Sequence, residues 1–192
     1  MNDIVRVDHV FDYNDSLGCE TLHPLVSVID FSEVRPIRSS LRSFGVYAIF
    51  RKDVKCGDMI YGRHYYDYQE GTLVCLAPGQ VIGFEDDGRE FQPKGWALVF
   101  HPDLIRGTSL GRNMKEYGFF SYEVNEALHL SERERGMVVD CFGKIRHELE
   151  HAIDRHSRRL IAINIEMLLD YCLRFYERQF ITRSNVNRDV LT

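Results

Sequence analysis

The sequence predicts an α+β fold, in which a β-rich first part precedes two long helices. All five prolines and most of the 14 glycines lie before residue 103, and short runs rich in β-branched and aromatic residues separate them. After about residue 131 the apolar positions instead recur every three or four residues, which is the period of a helix. Strands first and helices afterwards, rather than the two in alternation, are typical of the α+β class.

Six segments of the first part are predicted strands. Each is short, rich in Val, Ile, Tyr or Phe, and bounded by turn-forming residues. Most have apolar residues on both alternating faces, which fits either a closed barrel or a two-sheet sandwich with one face covered by helices. The predicted strands are 25–31, 44–54, 59–68, 72–77, 80–85 and 96–101.

Two helices are predicted in the second part. Ser131 followed by Glu134 is a capping box, in which the serine oxygen accepts a backbone amide and the glutamate reaches back. The second helix is predicted to run from Ser157 to about Phe180, which is about 36 Å at ~1.5 Å per residue. The apolar positions of the first helix are Val138, Cys141, Phe142, Ile145 and Leu149.

The second helix carries more apolar surface than a helix needs to pack on a core through one side. A surface helix usually shows an apolar stripe about 100° wide, and here Ile163, Met167 and Tyr171 extend the apolar surface onto another flank. Either the helix is buried centrally in its own domain, or it packs on the β part and on a second copy. We favour a homodimer. The predicted interface residues form one seam: Ile161, Ile165, Leu168, Cys172 and Phe175.

The composition excludes several classes of protein. A composition of 44% hydrophobic and 28% charged residues is typical of a globular chain. The net charge of −5 argues against binding of the phosphate backbone of a nucleic acid by these residues. No apolar run approaches the ~20 residues of a membrane span, and the N-terminus lacks a signal-peptide layout. Five widely spaced cysteines without a C-x-x-C pair are typical of a reducing compartment. We therefore expect a cytoplasmic protein without membrane contact.

Four segments, in this order, carry a family resemblance: RHYYDYQEGTLVCLAPGQV (63–81), GWALVFHPDLIRGTSLG (95–111), FFSYEVNEALHLSERE (119–134) and HSRRLIAINIEMLLDYCLRFYERQF (156–180). From about residue 25 onward the chain resembles the N-terminal half of AraC-type transcription regulators. The resemblance implies a cupin-like β-barrel that senses a small-molecule effector, helices that dimerise, and a helix-turn-helix domain that binds DNA. No recognition helix lies within these 192 residues, so we expect DNA binding in a missing C-terminal domain and no DNA-binding residue here.

The resemblance implies an N-terminal arm (1–24), a cupin-like β-barrel (25–107), and a helical dimerisation region that includes the start of a linker (108–192). The arm could fold over a ligand; the other interpretation is a frayed terminus. Aromatic side chains could stack on a ring-shaped ligand while histidines add hydrogen bonds; the other interpretation, which is favoured for any one of these aromatics, is that they belong to the core. The sequence does not decide which strand face lines the cavity. The candidate ligand-binding residues are Tyr47, His64, Phe84, Trp96, Phe100 and His101.

A metal-dependent cupin enzyme, of the isomerase or dioxygenase type, is the alternative. His64, Glu70 and His101 could form a set of two histidines and one carboxylate, which suits non-haem iron. Tyr66, however, stands where the second histidine of an H-x-H pair would fall. Motifs of phosphate-binding loops, serine hydrolases and zinc proteases are absent from the sequence. We therefore expect a non-enzyme with no metal and no cofactor.

Overall fold

The computed structural model describes residues 4–52, 58–61, 64–67, 71–83, 88–121 and 127–191. It confirms the predicted α+β class, because a β-rich part precedes two long helices. The helices are α1 (Val10–Ser16), α2 (Pro102–Ile105), α3 (Ser109–Asn113), α4 (Glu132–Glu150) and α5 (Ser157–Leu191). The strands are β1 (Val5–Val7), β2 (Val26–Asp30), β3 (Ile37–Arg38), β4 (Leu41–Phe44), β5 (Tyr47–Lys52), β6 (Asp58–Tyr61), β7 (His64–Asp67), β8 (Thr72–Leu76), β9 (Gln80–Gly83), β10 (Glu90–Phe91), β11 (Gly95–Phe100) and β12 (Leu128–His129).

The strands form two five-stranded sheets and a two-stranded ribbon. The helix-side sheet has the order β12-β8-β5-β11-β2, the outer sheet has the order β1-β4-β9-β6-β7, and β3 pairs with β10. Neighbouring strands are antiparallel except β1 and β4, which are parallel. Within the described residues no strand pairing joins the two five-stranded sheets into a closed barrel.

The helix-side sheet buries both of its faces. Along β5, Ala48 and Phe50 point into a core shared with the outer sheet, whereas Ile49 points into a core shared with α4 and α5. Strand β11 alternates in the same way, with Val99 between the sheets and Phe100 beneath the helices. Successive strand residues point to opposite faces, so a strand that is apolar throughout fits a middle layer.

The capping box of α4 is confirmed. The Ser131 side chain accepts a hydrogen bond from the Glu134 amide at 3.2 Å, and Glu134 accepts one from the Ser131 amide at 3.0 Å. Arg178 of α5 then donates two hydrogen bonds to the same Glu134 carboxylate, at 2.9 and 2.6 Å. The residues that begin α4 therefore also fasten it to α5.

The N-terminal segment is part of the folded domain. Helix α1 buries Val10 and Tyr13 in the core between the two sheets. Asn14, which is fully buried, donates to Thr21 at 3.0 Å and accepts from Ser27 of β2 at 2.8 Å. The frayed-terminus interpretation is therefore wrong for the described part of this segment.

Several predicted strands differ in their limits. The run 44–54 is divided, because β4 ends at Phe44 and β5 begins at Tyr47. The chain passes here from the outer sheet, which contains β4, to the helix-side sheet, which contains β5. At this crossing the Gly45 amide donates to the Val7 carbonyl at 2.7 Å. The run 59–68 contains two antiparallel strands, β6 and β7. Helix α5 begins at Ser157 as predicted but continues to Leu191.

Candidate functional site

A cavity lies between the two sheets, on the side away from α4 and α5. Residues of β3, β4, β5, β9 and β10 contribute to its walls, and Tyr13 of α1 adds a further side. About 40 Å³ is open to a water-sized sphere, and the atom-free space is about 510 Å³ when the open mouth is included. Its aromatic walls are Tyr13, Phe31, Phe44, Phe50 and Phe91. The other lining residues are Ile37, Arg38, Ser39, Ser40, Arg42, Lys52, Ile82, Gly83 and Pro93.

Three aromatic rings pack together to form one wall of the cavity. The ring centroids of Phe44 and Phe50 are 6.0 Å apart, and Tyr13 lies 5.8 Å from Phe44 and 6.2 Å from Phe50. Tilted and edge-to-face pairs at these distances are the favoured arrangements of aromatic side chains. One ring comes from each of α1, β4 and β5, so the wall joins the N-terminal helix to both sheets.

Phe31 is held in place by a single glutamine. It begins a 3-10 turn after β2, where the Asp30 side chain accepts from the Ser32 amide at 2.9 Å. The Gln92 side chain, which follows β10, donates to the carbonyls of Phe31 and Val34, both at 2.9 Å. Carbonyls outside regular strands need such partners when they are buried.

Basic side chains lie against the aromatic walls. Lys52 is only 7% exposed, and its Nζ lies 4.7 Å from the Phe31 centroid and 5.6 Å from that of Phe50. The guanidinium of Arg42 lies 6.0 Å from the Tyr13 centroid. Cations within about 6 Å of an aromatic face are attracted by its negative quadrupole. The cavity is therefore lined by aromatic surface and positive charge together.

The phenol of Tyr13 stays neutral well into the alkaline range. Burial raises the pKa of Tyr13, and the nearby Arg42 offsets only part of that shift. A neutral phenol can donate a hydrogen bond, which a phenolate cannot.

Three of the predicted ligand-binding aromatics lie outside this cavity. Tyr47 and Phe100 stack at 5.0 Å in the core between the helix-side sheet and the helices. Trp96, on the same face, lies under Arg146 at 5.2 Å and against Phe142 at 6.4 Å. These aromatics were predicted to stack on a ligand or to belong to the core, and the sequence did not decide which strand face lines a cavity. The structure shows that they are core on the helix side.

Of the two predicted histidines, only His101 has a described side chain. His101 follows β11 and caps α2, where its Nδ1 accepts from the Asp103 amide at 3.0 Å, and its ring stacks on that of His9 at a centroid distance of 6.0 Å. His64 lies on β7, but its side chain, like Phe84 and Glu70, lies outside the described residues. In the part of the chain that is described, no three His, Cys, Asp or Glu side chains are placed to hold a metal ion.

The buried cysteines are poor candidates for a nucleophile. Burial raises the pKa of the Cys141 thiol to about 11 and that of Cys75 well above its ordinary value. The thiolate is the reactive form of cysteine, so these two are inert near neutral pH.

The predicted dimer seam is buried inside one chain. Its five residues belong to the core that α5 shares with α4 and the helix-side sheet, and none is more than 4% exposed. An interface through this seam is therefore wrong, because the domain itself already occupies that face. The buried seam residues are Ile161, Ile165, Leu168, Cys172 and Phe175.

A second flank of α5 is apolar and exposed. Leu160, Ile163 and Met167 are 41%, 44% and 42% exposed, and the partly buried Tyr171 continues the row. Steps of three or four residues place all four on one side of the helix. We call these four residues the outer stripe. The sequence showed part of it as the second apolar flank of the helix.

No model of a known protein family matches the sequence, and no curated protein gives a significant match. Among the described helices, none combines the length and the hydropathy that crossing a bilayer requires.

Proposed function

We propose that this chain is the ligand-sensing and dimerisation domain of an AraC-type transcription regulator, with a cupin-like β part. The ordered segments that resemble this family support the proposal, and so does the arrangement of an interior cavity followed by a long helix. The widely spaced cysteines favour a cytoplasmic location. DNA binding belongs to a domain outside these residues.

The observation that carries the proposal is that α5 is apolar on two separate flanks. One face completes the core of the domain, and the other presents the outer stripe to solvent. Singly exposed apolar residues are common on protein surfaces, but a contiguous apolar row on a helix is a typical association surface. A helix that only covered its own sheet would need a single apolar face.

A second copy of the chain fits this surface. In an antiparallel pair about a two-fold axis near Met167, apolar stripe meets apolar stripe, and each flank meets the same flank of the other helix. Arg159 and Glu177 are separated by 18 residues, about five turns, and so share one flank. Arg159 of one copy then lies near Glu177 of the second copy. Opposite charges at the edge of the stripe favour this orientation over a parallel one.

We propose that helix α1 transmits the effect of ligand binding in the cavity to the two sheets on which it packs. Because Tyr13 forms part of the cavity wall, an occupant changes the packing of α1 on the two sheets. A ligand that binds one arrangement more tightly shifts the protein towards it. The alternative function, a metal-dependent enzyme, is favoured by no observation on the described residues.

Sedimentation velocity at micromolar concentration tests the proposal. The wild-type chain should sediment as a dimer, and Met167→Glu should sediment as a monomer, because the substitution places two unpaired carboxylates at the two-fold axis. Val139→Glu is the matched control, since Val139 is 40% exposed on α4 and lies away from the outer stripe. That variant should remain dimeric, and both should keep the wild-type circular dichroism spectrum.

A reporter assay tests the regulatory role. When the chain replaces the dimerisation domain of a repressor that acts only as a dimer, it should restore repression, and Met167→Glu should abolish it. A wild-type chain that sediments as a monomer, or a Met167→Glu variant that dimerises as well as wild type, would refute the proposed interface.

A further inference from the structure

Strand β2 is the last strand of the helix-side sheet, and within the described residues no strand pairs with its outer edge. The His101 amide donates to the Leu25 carbonyl at 2.8 Å, which fixes the alternation of hydrogen bonds between β2 and β11. In an antiparallel pair every second residue bonds to the neighbouring strand, and the residues between direct their amides and carbonyls away. Ser27 and Ile29 therefore bond to β11. The residues whose backbone groups point to the outer edge are Val26, Val28 and Asp30.

Two of these outward residues can be reached from outside. Val28 and Asp30 are half-buried, and neither their amides nor their carbonyls have a hydrogen-bond partner in the part of the chain that is described. Backbone donors and acceptors in a folded protein normally have a partner when they are withdrawn from water. An edge strand of this kind is a template on which another extended chain can pair.

The opposite edge of the same sheet is closed by side chains. There β12 is the last strand, and the Leu130 amide donates to the Gly71 carbonyl at 3.1 Å, so His129 is the residue that points outward. The Gln179 side chain accepts from the His129 amide, and Arg178 donates to the His129 carbonyl, both at 2.8 Å. The fold therefore covers one edge of this sheet and leaves the edge at β2 open.

A groove runs along the open edge of β2. The segment 18–22, which precedes β2, forms one wall, and the C-terminal end of α4 forms the other. About 270 Å³ of the groove is open to a water-sized sphere, against about 40 Å³ in the cavity between the sheets. We call it the edge groove. It has room for an extended backbone, which lies roughly 4.8 Å from the strand with which it pairs.

The edge groove is acidic. Arg146 is the one basic residue among its described lining residues. It already donates to Glu33 at 2.9 Å and to Glu150 at 3.0 Å. Four carboxylates against one guanidinium leave a net charge of −3, which favours a partner with positive charge. The lining carboxylates are Glu20, Asp30, Glu33 and Glu150.

We propose that the edge groove binds an extended basic peptide segment of a partner protein, which adds a strand to the helix-side sheet at β2. Main-chain hydrogen bonds to Val28 and Asp30 supply affinity, and lysine or arginine side chains of the peptide face the carboxylates of the groove. The edge groove is separate from the cavity and from the outer stripe. The inference therefore goes beyond the sensor function proposed above and does not depend on it.

Titration calorimetry of the wild-type chain with four end-capped pentapeptides tests the proposal, since β2 is five residues long. The probes are Lys-Val-Lys-Val-Lys, the same peptide methylated on every backbone nitrogen, neutral Thr-Val-Thr-Val-Thr and acidic Glu-Val-Glu-Val-Glu. The basic peptide should bind roughly tenfold or more tightly than its methylated counterpart, because methylation removes the backbone donors and keeps the charge. The neutral peptide should bind more weakly than the basic one, and the acidic peptide should not bind.

Val28→Pro locates the backbone contact. Proline removes the outward amide, and an edge strand tolerates proline where the N–H would face away from the sheet. This variant should bind the basic peptide roughly tenfold more weakly than wild type does. Val28→Ala is the matched control, because it shortens the same side chain and keeps the amide, and it should bind as wild type does. If Val28→Pro fails to fold, the four-peptide comparison on the wild-type chain still decides the matter.

A second pair of variants tests the charge. Glu20 lies in the wall of the edge groove and is exposed, so Glu20→Gln should weaken binding of the basic peptide severalfold. Glu116 is an exposed carboxylate outside the groove lining, and Glu116→Gln should leave the affinity unchanged.

Amide hydrogen exchange followed by NMR tests the hydrogen-bond register. In the free protein the Ile29 amide, which bonds to β11, should exchange slowly, and the Val28 amide should exchange rapidly. Addition of the basic peptide should slow exchange at Val28. Slow exchange at Val28 in the free protein would show that the edge is already closed.

The contrary results are distinct from failure of the proposed dimer. Equal binding of the basic peptide and its methylated counterpart, binding of the acidic peptide, or no binding of the basic peptide at millimolar concentration would each overturn the proposal. A Val28→Pro variant that is folded but sediments as a monomer, while wild type sediments as a dimer, would assign the edge to a second copy instead. The Met167→Glu measurements concern the outer stripe and do not change with any of these outcomes.

Discussion

Truncation of Leu168 distinguishes the two apolar faces of α5. The side chain is fully buried in the core between the helices and the helix-side sheet. Leu168→Ala removes three carbons, and burial of each stabilises the fold by ~0.8 kcal/mol, which gives about 2.4 kcal/mol. The cavity left behind adds to this, and fully buried Leu→Ala changes cost ~2–5 kcal/mol in all. We expect the free energy of unfolding to fall by about 3–4 kcal/mol.

Urea denaturation at a fixed protein concentration measures this loss, with Val139→Ala as the control. Val139 is 40% exposed on α4 and lies outside the outer stripe, and alanine is a good helix former, so its truncation should cost less than about 0.5 kcal/mol. Sedimentation should show Leu168→Ala as a dimer while it is folded. A Leu168→Ala variant that is monomeric and loses less than about 1 kcal/mol would show that Leu168 lies at the interface and not in the core.

Two further predictions follow from single residues. Burial raises the pKa of Tyr13, so the folded protein should lose stability as the pH rises above about 10, the ordinary pKa of tyrosine, where the unfolded chain loses the phenol proton first. Tyr13→Phe should reduce this alkaline loss of stability in a series of thermal melts. An unchanged loss would contradict the burial of Tyr13. A Cβ added at Gly136 of α4 meets nothing within 4 Å, so Gly136→Ala should stabilise the protein by about 0.5–1 kcal/mol. At Gly83, in contrast, an added Cβ would collide with the Ser40 carbonyl, so Gly83→Ala should lower the melting temperature. A melting temperature that is higher for Gly83→Ala than for Gly136→Ala would contradict both predictions.

The sequence was sufficient where local chemistry decides the structure. Ser131 and Glu134 lie three residues apart and satisfy each other's backbone amides, so the start of α4 could be read directly. Apolar steps of three and four residues likewise marked both long helices. These signals need no knowledge of what the helices pack against.

The candidate site could not be placed in this way, because it depends on which face of a strand points inward. Tyr47 and Phe50 lie three residues apart on β5 and are both aromatic, but Tyr47 points towards the helices and Phe50 towards the cavity. One signal was present: Lys52 shares a face with Phe50 and Ala48, and a basic residue in an apolar strand is a candidate for a lined cavity. Periodicity alone likewise placed the predicted interface on the flank of α5 that the structure buries in its own core.

Gln179 is the last buried residue among the described side chains of α5. Its side chain accepts from the His129 amide at 2.8 Å and donates to the Ala127 carbonyl at 3.3 Å. The helix continues to Leu191, and the side chains described beyond this point are exposed. These 12 residues extend about 18 Å at ~1.5 Å per residue. A tilt of α5 by about 10° at its contact with β12 would displace the end of this segment of about 18 Å by roughly 3 Å. A small rearrangement in the core would therefore cause a larger displacement outside it.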